Sequence, residues 1–253
     1  VFEGFRSNWV WETGVERQNP PIQISGVYVN NSFYSTSTTG AYSYKINYPL
    51  GRVVFDTPIA TTSTVQVEHS FKKVSIVSSR SRVGKNLMFN SYRPDNNGFN
   101  TVGSGLYNTL AQSRIQLPCI VVKVVDNGNH VPMEIGGGYF TTLDTLFYIF
   151  AEDSSSVETL KSICLNQIEK TIYFYNKTDL VTANKHPLTY QGSINPSGYL
   201  CYSQLVDPPS PHGSGFRWKR CFIKKVRSQD DNVNPSLQSA IVRFTLEIDC
   251  PEL

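Results

Sequence analysis

Charge is what this sequence has least of. Asp, Glu, Lys and Arg make up 17% of its 253 residues, against about a quarter in an ordinary soluble domain. No apolar run approaches the roughly 18 residues that a transmembrane helix requires, so none is expected and no membrane is named as a partner. The first residues, VFEGFRSNWVWE, contain neither the basic nor the apolar segment of a signal peptide. Five cysteines, Cys119, Cys164, Cys201, Cys221 and Cys250, are widely spaced and form no C-x-x-C pair. That pattern speaks against a disulfide framework or a zinc knuckle and for free thiols in a reducing compartment. The formal net charge of +3 is too small to imply nucleic acid by itself.

Recognisable catalytic patterns are missing as well. His69, His130, His186 and His212 do not stand at metal-ligand spacing from one another or from a cysteine. No G-x-S-x-G elbow occurs. Gly136-Gly137-Gly138 has neither the phosphate-loop spacing nor a following helix, and is read as a connection between strands. Glu152, Asp153 and Glu158 could suggest paired carboxylates, but they fall at the start of a helix, where the macrodipole favours negative charge. The expectation is no catalytic residue, no metal, no cofactor and no enzyme.

Aromatic, Ser and Thr residues are abundant, and their alternation organises the chain. Tyr42, Tyr44, Ile46 and Tyr48 alternate with Ser43, Lys45 and Asn47, the period of a half-buried strand. Further strands are expected near 22–29, 52–55, 64–71 and 73–77, giving an antiparallel β domain over 1–78. Residues 79–116 lack sustained periodicity and read as an extended arm or linker, with a short helix near 105–113. From 117 to 253 the pattern is α+β. CIVVKVV (119–125) and TLFYIFAE (145–152) are buried strands, and a helix over 156–169 carries the stripe Val157, Leu160, Ile163, Cys164 and Ile168. Ser155 and Glu158 have capping-box spacing. TIYFY (171–175), FRWKRCFIKKV (216–226) and AIVRFTLEID (240–249) complete a β-β-α-β-β-β order. The fold class is therefore α+β and β-dominated, with a small C-terminal sheet covered by one main helix.

The strongest electrostatic feature is the cluster Arg217, Lys219, Arg220, Lys224, Lys225 and Arg227, interleaved with Phe216, Trp218 and Phe222. If 216–226 pairs with 240–249, simple alternation turns Trp218, Phe222, Val242, Phe244, Leu246 and Ile248 into the core. Arg217, Lys219, Lys225, Arg227 and Arg243 then face outward. Such a face suits an acidic neighbour, or DNA in a lumen. The arm, with Tyr92 and Arg93, and the polar loop 176–215, with Pro208 and Pro209, are too long for simple connections and are expected to carry protein contacts.

The phrases SGVYVNNSFY (25–34), INYPLGRVVFDTPIATTSTVQVEHSFKKVSI (46–76), LPCIVVKVV (117–125) and LFYIFAEDSSSVETLKSICLNQIEKTIYFYN (146–176) resemble those of tailed-bacteriophage virion proteins of the neck and tail-terminator type. The resemblance implies a terminator-like second domain and a homo-oligomeric, commonly hexameric, ring between head connector and tail. It also implies neighbouring neck and tail proteins as partners, genomic DNA possible in the lumen, and a virion location after assembly in the host bacterial cytoplasm. A meander of Tyr, Thr and Ser supplies contact area at low entropic cost, as assembly requires. The other reading is a β-sandwich binding module for host-surface carbohydrate, with Trp9, Trp11 and the tyrosines as stacking platforms.

Overall fold

The computed structural model describes residues 1–12, 23–88, 92–94, 100–102, 114–132, 138–198, 202–206, 215–230 and 237–250. The first elements are β1 (Phe2–Glu3), β2 (Gly26–Val29), β3 (Ser32–Ser35), β4 (Tyr44–Asn47), β5 (Arg52–Phe55), β6 (Val65–Gln66) and β7 (Ser75–Ser78). Next come α1 (Arg82–Met88), β8 (Tyr92–Pro94), β9 (Asn100–Val102), β10 (Arg114–Ile115), β11 (Cys119–Pro132) and β12 (Tyr139–Ala151). The chain continues through α2 (Ser154–Leu165), β13 (Thr171–Tyr175), α3 (Lys177–Thr182), α4 (Tyr202–Leu205), β14 (Arg217–Asp230) and β15 (Gln238–Cys250). Strands dominate, with few helices, as the sequence pattern leads one to expect. The order β-β-α-β-β-β from β11 onward is also observed once the short α3 and α4 are set aside.

The chain divides into two compact units, Val1–Lys72 with Tyr175–Trp218, and Lys73–Phe174 with Lys219–Leu253. In the first, β1-β5-β4 and β3-β2-β6 form two three-stranded antiparallel sheets. Asn30 and Asn31 both take positive φ, 51° and 67°, which closes the β2–β3 hairpin with the twist its strands require. Trp9, Val27, Val29, Tyr44, Ile46, Tyr48 and Val53 are buried together, so the alternation of β4 does point its aromatic side inward. Trp9 is 1% exposed; it belongs to this core and is no stacking platform. Trp11 packs against the same core, half-buried.

Segment 175–218 joins the first unit, not the second as the reading of 117–253 as one domain expected. The reason is hydrogen bonding from a distant stretch of the chain: Tyr48 N–H donates to Gly192 O at 3.0 Å, and the Asn47 side-chain amide (Nδ2) donates to Gln191 O at 2.7 Å. Gly192 has φ +77° and sits where a Cβ would press on the Asn47 side chain, so this close approach needs glycine.

The second unit is built on a six-stranded sheet of order β13-β14-β15-β12-β11-β7, in which β7 runs parallel to β11. Two long antiparallel hairpins, β11–β12 and β14–β15, supply its middle. One face packs Ile120, Ile149, Val242, Phe244, Ile223 and Val226 under Val157, Leu160 and Cys164 of α2. Ile163 and Ile168, counted in the helical stripe, are 53% and 46% exposed, because α2 ends at Leu165 and its buried face is narrower than the pattern suggested. Its cap is Asp153, whose carboxylate accepts from the Ser156 N–H at 2.7 Å, and the Ser155–Glu158 capping box does not form.

The opposite face holds Cys119, Val121 and Phe150 against Leu87, with Val83 and Met88 also from α1. The stretch 79–116, expected as an extended arm, thus contains a packed helix, and β8-β9-β10 form a small antiparallel sheet. The expected helix near 105–113 lies outside the described residues. Among the described residues, no helix is long and apolar enough to cross a membrane.

Candidate interaction face

Residues opposite one another on neighbouring strands share a face of the sheet. Registers therefore define rows across β11, β12, β15 and β14. Beyond the cover of α1, one row runs Lys123, Leu146, Arg243, Arg227 and the next Val125, Asp144, Thr245, Lys225. A third contains Asn129, Thr142, Glu247 and Phe222, and a fourth Val131, Phe140 and Asp249.

A β-bulge sets which basic residues reach this face. The β14–β15 register shifts between Ile223 and Lys225, leaving Lys224 as the extra residue. Before the bulge, Cys221 and Ile223 point to the α2 side; after it, Val226 does. One inserted residue reverses the alternation, which corrects the expected face assignment. Lys225 and Arg227 face outward as expected. Arg217 and Lys219 fall on the strand side of Cys221, where Arg217 Nε donates to Val206 O at 2.8 Å and Lys219 Nζ to Cys250 Sγ at 3.2 Å. Trp218 and Phe222, expected in the core, are 55% and 36% exposed.

The carboxylates of the face are consumed locally. Arg243 binds Asp144, which also accepts from Thr245 Oγ1 at 2.8 Å. The Arg243 hydrogen bond foremost, and the Thr245 bond beside it, hold the Asp144 carboxyl below its usual pKa against the opposing effect of burial. Lys224 pairs with Glu247 at 2.7 Å and Arg220 with Asp249 at 2.6 Å. Lys123, Lys225 and Arg227 have no ion-pair partner among the described residues. They occupy adjacent rows, spread over about 14 Å across the strands and about 7 Å along them. Such a face can hold negatively charged groups, and Phe222 adds an apolar contact beside it.

On the α2 side, His130 Nδ1 lies 3.0 Å from Thr141 Oγ1, which lies 3.7 Å from Cys250 Sγ. With Lys219 this forms a polar row, and His130 meets Tyr139 edge-on at 5.1 Å. Burial pushes the Cys119 thiol up to about 12 and, with Asp249 adding to it, the Cys221 thiol to about 11, so both are inert core groups. Among the described residues, no group of three or more His, Cys, Asp or Glu could hold a metal ion.

Of the other interface candidates, Tyr92 and Arg93 lie in β8, paired with Val102 and Thr101 of β9. Pro208 and Pro209 lie outside the described residues. Sequence reasoning missed Lys123 and Asp144; a single carboxylate inside the apolar alternation of TTLDTLFY was the available signal for the second. No protein-family model, curated protein or solved structure matches this chain.

Proposed function

We propose that this chain is a non-enzymatic structural protein of a tailed-phage virion, forming an oligomeric ring at the neck or tail end. In that role it joins the head connector to the tail, and its second unit corresponds to a tail-terminator-like domain. The observation that carries the reading is the cationic face: Lys123, Lys225 and Arg227, with the partly exposed Phe222, stand on rigid strands with their local carboxylates already paired. A preorganised mixed surface of this kind costs little entropy to bury against a partner. The phrase-level resemblance to neck proteins supports the placement. Cryo-microscopy of purified virions tests it, with density for this chain expected as a ring in the neck or tail. Absence from virions, with the protein confined to infected-cell cytosol, overturns it.

One observation favours the carbohydrate-binding reading. On the β2–β3 hairpin, Tyr28 and Phe33 meet at 5.2 Å with their rings tilted by 57°, while 42% and 50% exposed, an aromatic pair able to receive a sugar ring. Glycan-array binding that disappears with Tyr28→Ala would select this reading over the first.

A further inference from the structure

The face described above has a counterpart on the other side of the same sheet. Among the described residues it holds six cations, Lys123, Arg220, Lys224, Lys225, Arg227 and Arg243, against three carboxylates, Asp144, Glu247 and Asp249. These described residues give the face an excess of three positive charges, in a chain whose net charge is +3. On the opposite side, α2 and its N-terminal approach carry Glu152, Asp153 and Glu158. Asp230, which pairs with Ala240 on the α2 side of β14, lies beside them. Lys161 is the one cation among them, bridging Glu158 at 2.6 Å and Asp230 at 2.8 Å. The Glu158 and Asp230 side chains remain 61% and 81% exposed. Among the described residues, Asp153, Glu158 and Asp230 against Lys161 leave this end of α2 locally negative, while Arg217 and Lys219 lie further along β14 on the same side. Each side also exposes an apolar residue, Phe222 on one and Ile163 on α2 on the other.

We propose that copies of this chain associate head to tail, the cationic sheet face of one seated on the acidic α2 face of the next. The proposal rests on the assembly reading and supplies its contact surface. Because the two patches lie on opposite faces, the contact is heterologous: each copy offers both halves, and repetition closes into a ring or continues as a filament. A carboxylate-bearing face suits the cationic side better than a phosphate backbone does. Asp144, Glu247 and Asp249 are interspersed among the cations, and a uniformly anionic polymer would be laid over them. A mixed-charge protein surface can match both signs.

The test uses charge reversal in the full chain, with association followed by sedimentation velocity and mass photometry at low and high salt. Lys225→Glu with Arg227→Glu should weaken association at least about tenfold, as should Glu158→Lys with Asp230→Lys, and joining all four should recover it. High salt should weaken the wild type and the fourfold variant alike. The substitutions are at exposed positions, and circular dichroism with thermal melts checks each fold. The milder set Lys123→Ser, Lys225→Ser and Arg227→Ser gives an independent loss if a reversal disturbs folding. Assembly unaffected by either reversal, or failure of folded fourfold protein to recover, overturns the proposal and leaves the assembly reading standing. A wild type that stays monomeric at all concentrations and low salt overturns both. If the serine variant assembles normally but loses binding to a 24-mer DNA duplex, the face serves nucleic acid and the proposal is wrong.

Discussion

Arg227 stands directly opposite Arg243 on the neighbouring antiparallel strand, two like charges in a position where they repel. The arrangement is tolerable because Arg243 is bound by Asp144 in the next strand, whose side chain is 12% exposed. Asp144 thus links β12 to β15 and neutralises half of the opposed pair.

Asp144→Asn should therefore destabilise the second unit, because it removes the partner of the half-exposed Arg243 and restores the repulsion with Arg227. Its pH dependence has a definite sign. The folded-state pKa of Asp144 is lowered, chiefly by the Arg243 hydrogen bond, so the contribution is complete above the ordinary carboxylate value of about 4. It is lost as pH falls through the lower folded value. Urea titrations of wild type and variant should show a constant gap at pH 5–7 that narrows below about pH 4. A gap that persists undiminished at pH 2 would contradict the assignment.

The N-cap of α2 offers a second test. Asp153 accepts from the Ser156 N–H at 2.7 Å and from the Ser156 hydroxyl at 2.8 Å, and the backbone bond foremost lowers its pKa. Asp153→Ala should speed amide exchange at Ser156 and Val157, Asp153→Ser should preserve most protection, and Ser155→Ala should change nothing. The cap should loosen as pH falls through the lowered value. Protection lost in the Ser155 variant and kept in Asp153→Ala would restore the capping box as the correct description.

What the sequence disclosed, and what it hid, follows from the range of the interactions. β5 begins and ends where alternation and turn chemistry place it, and β15 buries Val242 and Phe244 as its pattern requires. The bulge at Lys224 leaves no local mark, since two adjacent lysines read equally well as solvent-facing in either phase. It inverts Trp218 and Phe222 relative to plain alternation. The docking of Gln191 and Gly192 beside β4 depends on donors more than 140 positions away, the Asn47 side-chain amide bonding Gln191 across a span of 144 residues, and no periodicity announces it. In α1, Val83 and Leu87 stand at i,i+4, a stripe too short to be distinguished from chance.

That short helix yields the third prediction. Leu87 is fully buried against Cys119, Val121 and Phe150, and Ser81 Oγ accepts from the Gly84 N–H at 3.0 Å at its start. Leu87→Ala should cost about 3 kcal/mol. Gly84→Ala should also destabilise, because its Cβ would collide with the Ser78 carbonyl oxygen of β7. If both variants unfold at the wild-type urea midpoint, α1 is not part of the second unit's core.

The tryptophans give the last prediction, and it separates a buried indole from an exposed one. Trp9 is 1% exposed, its indole N–H donates to Arg6 O at 2.7 Å, and its ring lies 4.4 Å from that of His69. Trp218 is 55% exposed, and Trp11 lies between these extremes. Acrylamide should quench Trp218 readily and Trp9 hardly at all, so Trp218→Phe should remove most of the accessible fluorescence and leave a blue-shifted remainder. Trp9→Ala should cost about 4 kcal/mol, the range for emptying a fully buried aromatic site, and should unfold the first unit before the second in urea. Trp9→Phe keeps most of the volume but strips the Arg6 carbonyl of its donor, so a smaller loss of about 1–2 kcal/mol is expected. Equal quenching of Trp9 and Trp218 in the single-tryptophan variants would show that Trp9 does not centre this core, and the aromatic-platform reading of the N-terminal unit would then regain its ground.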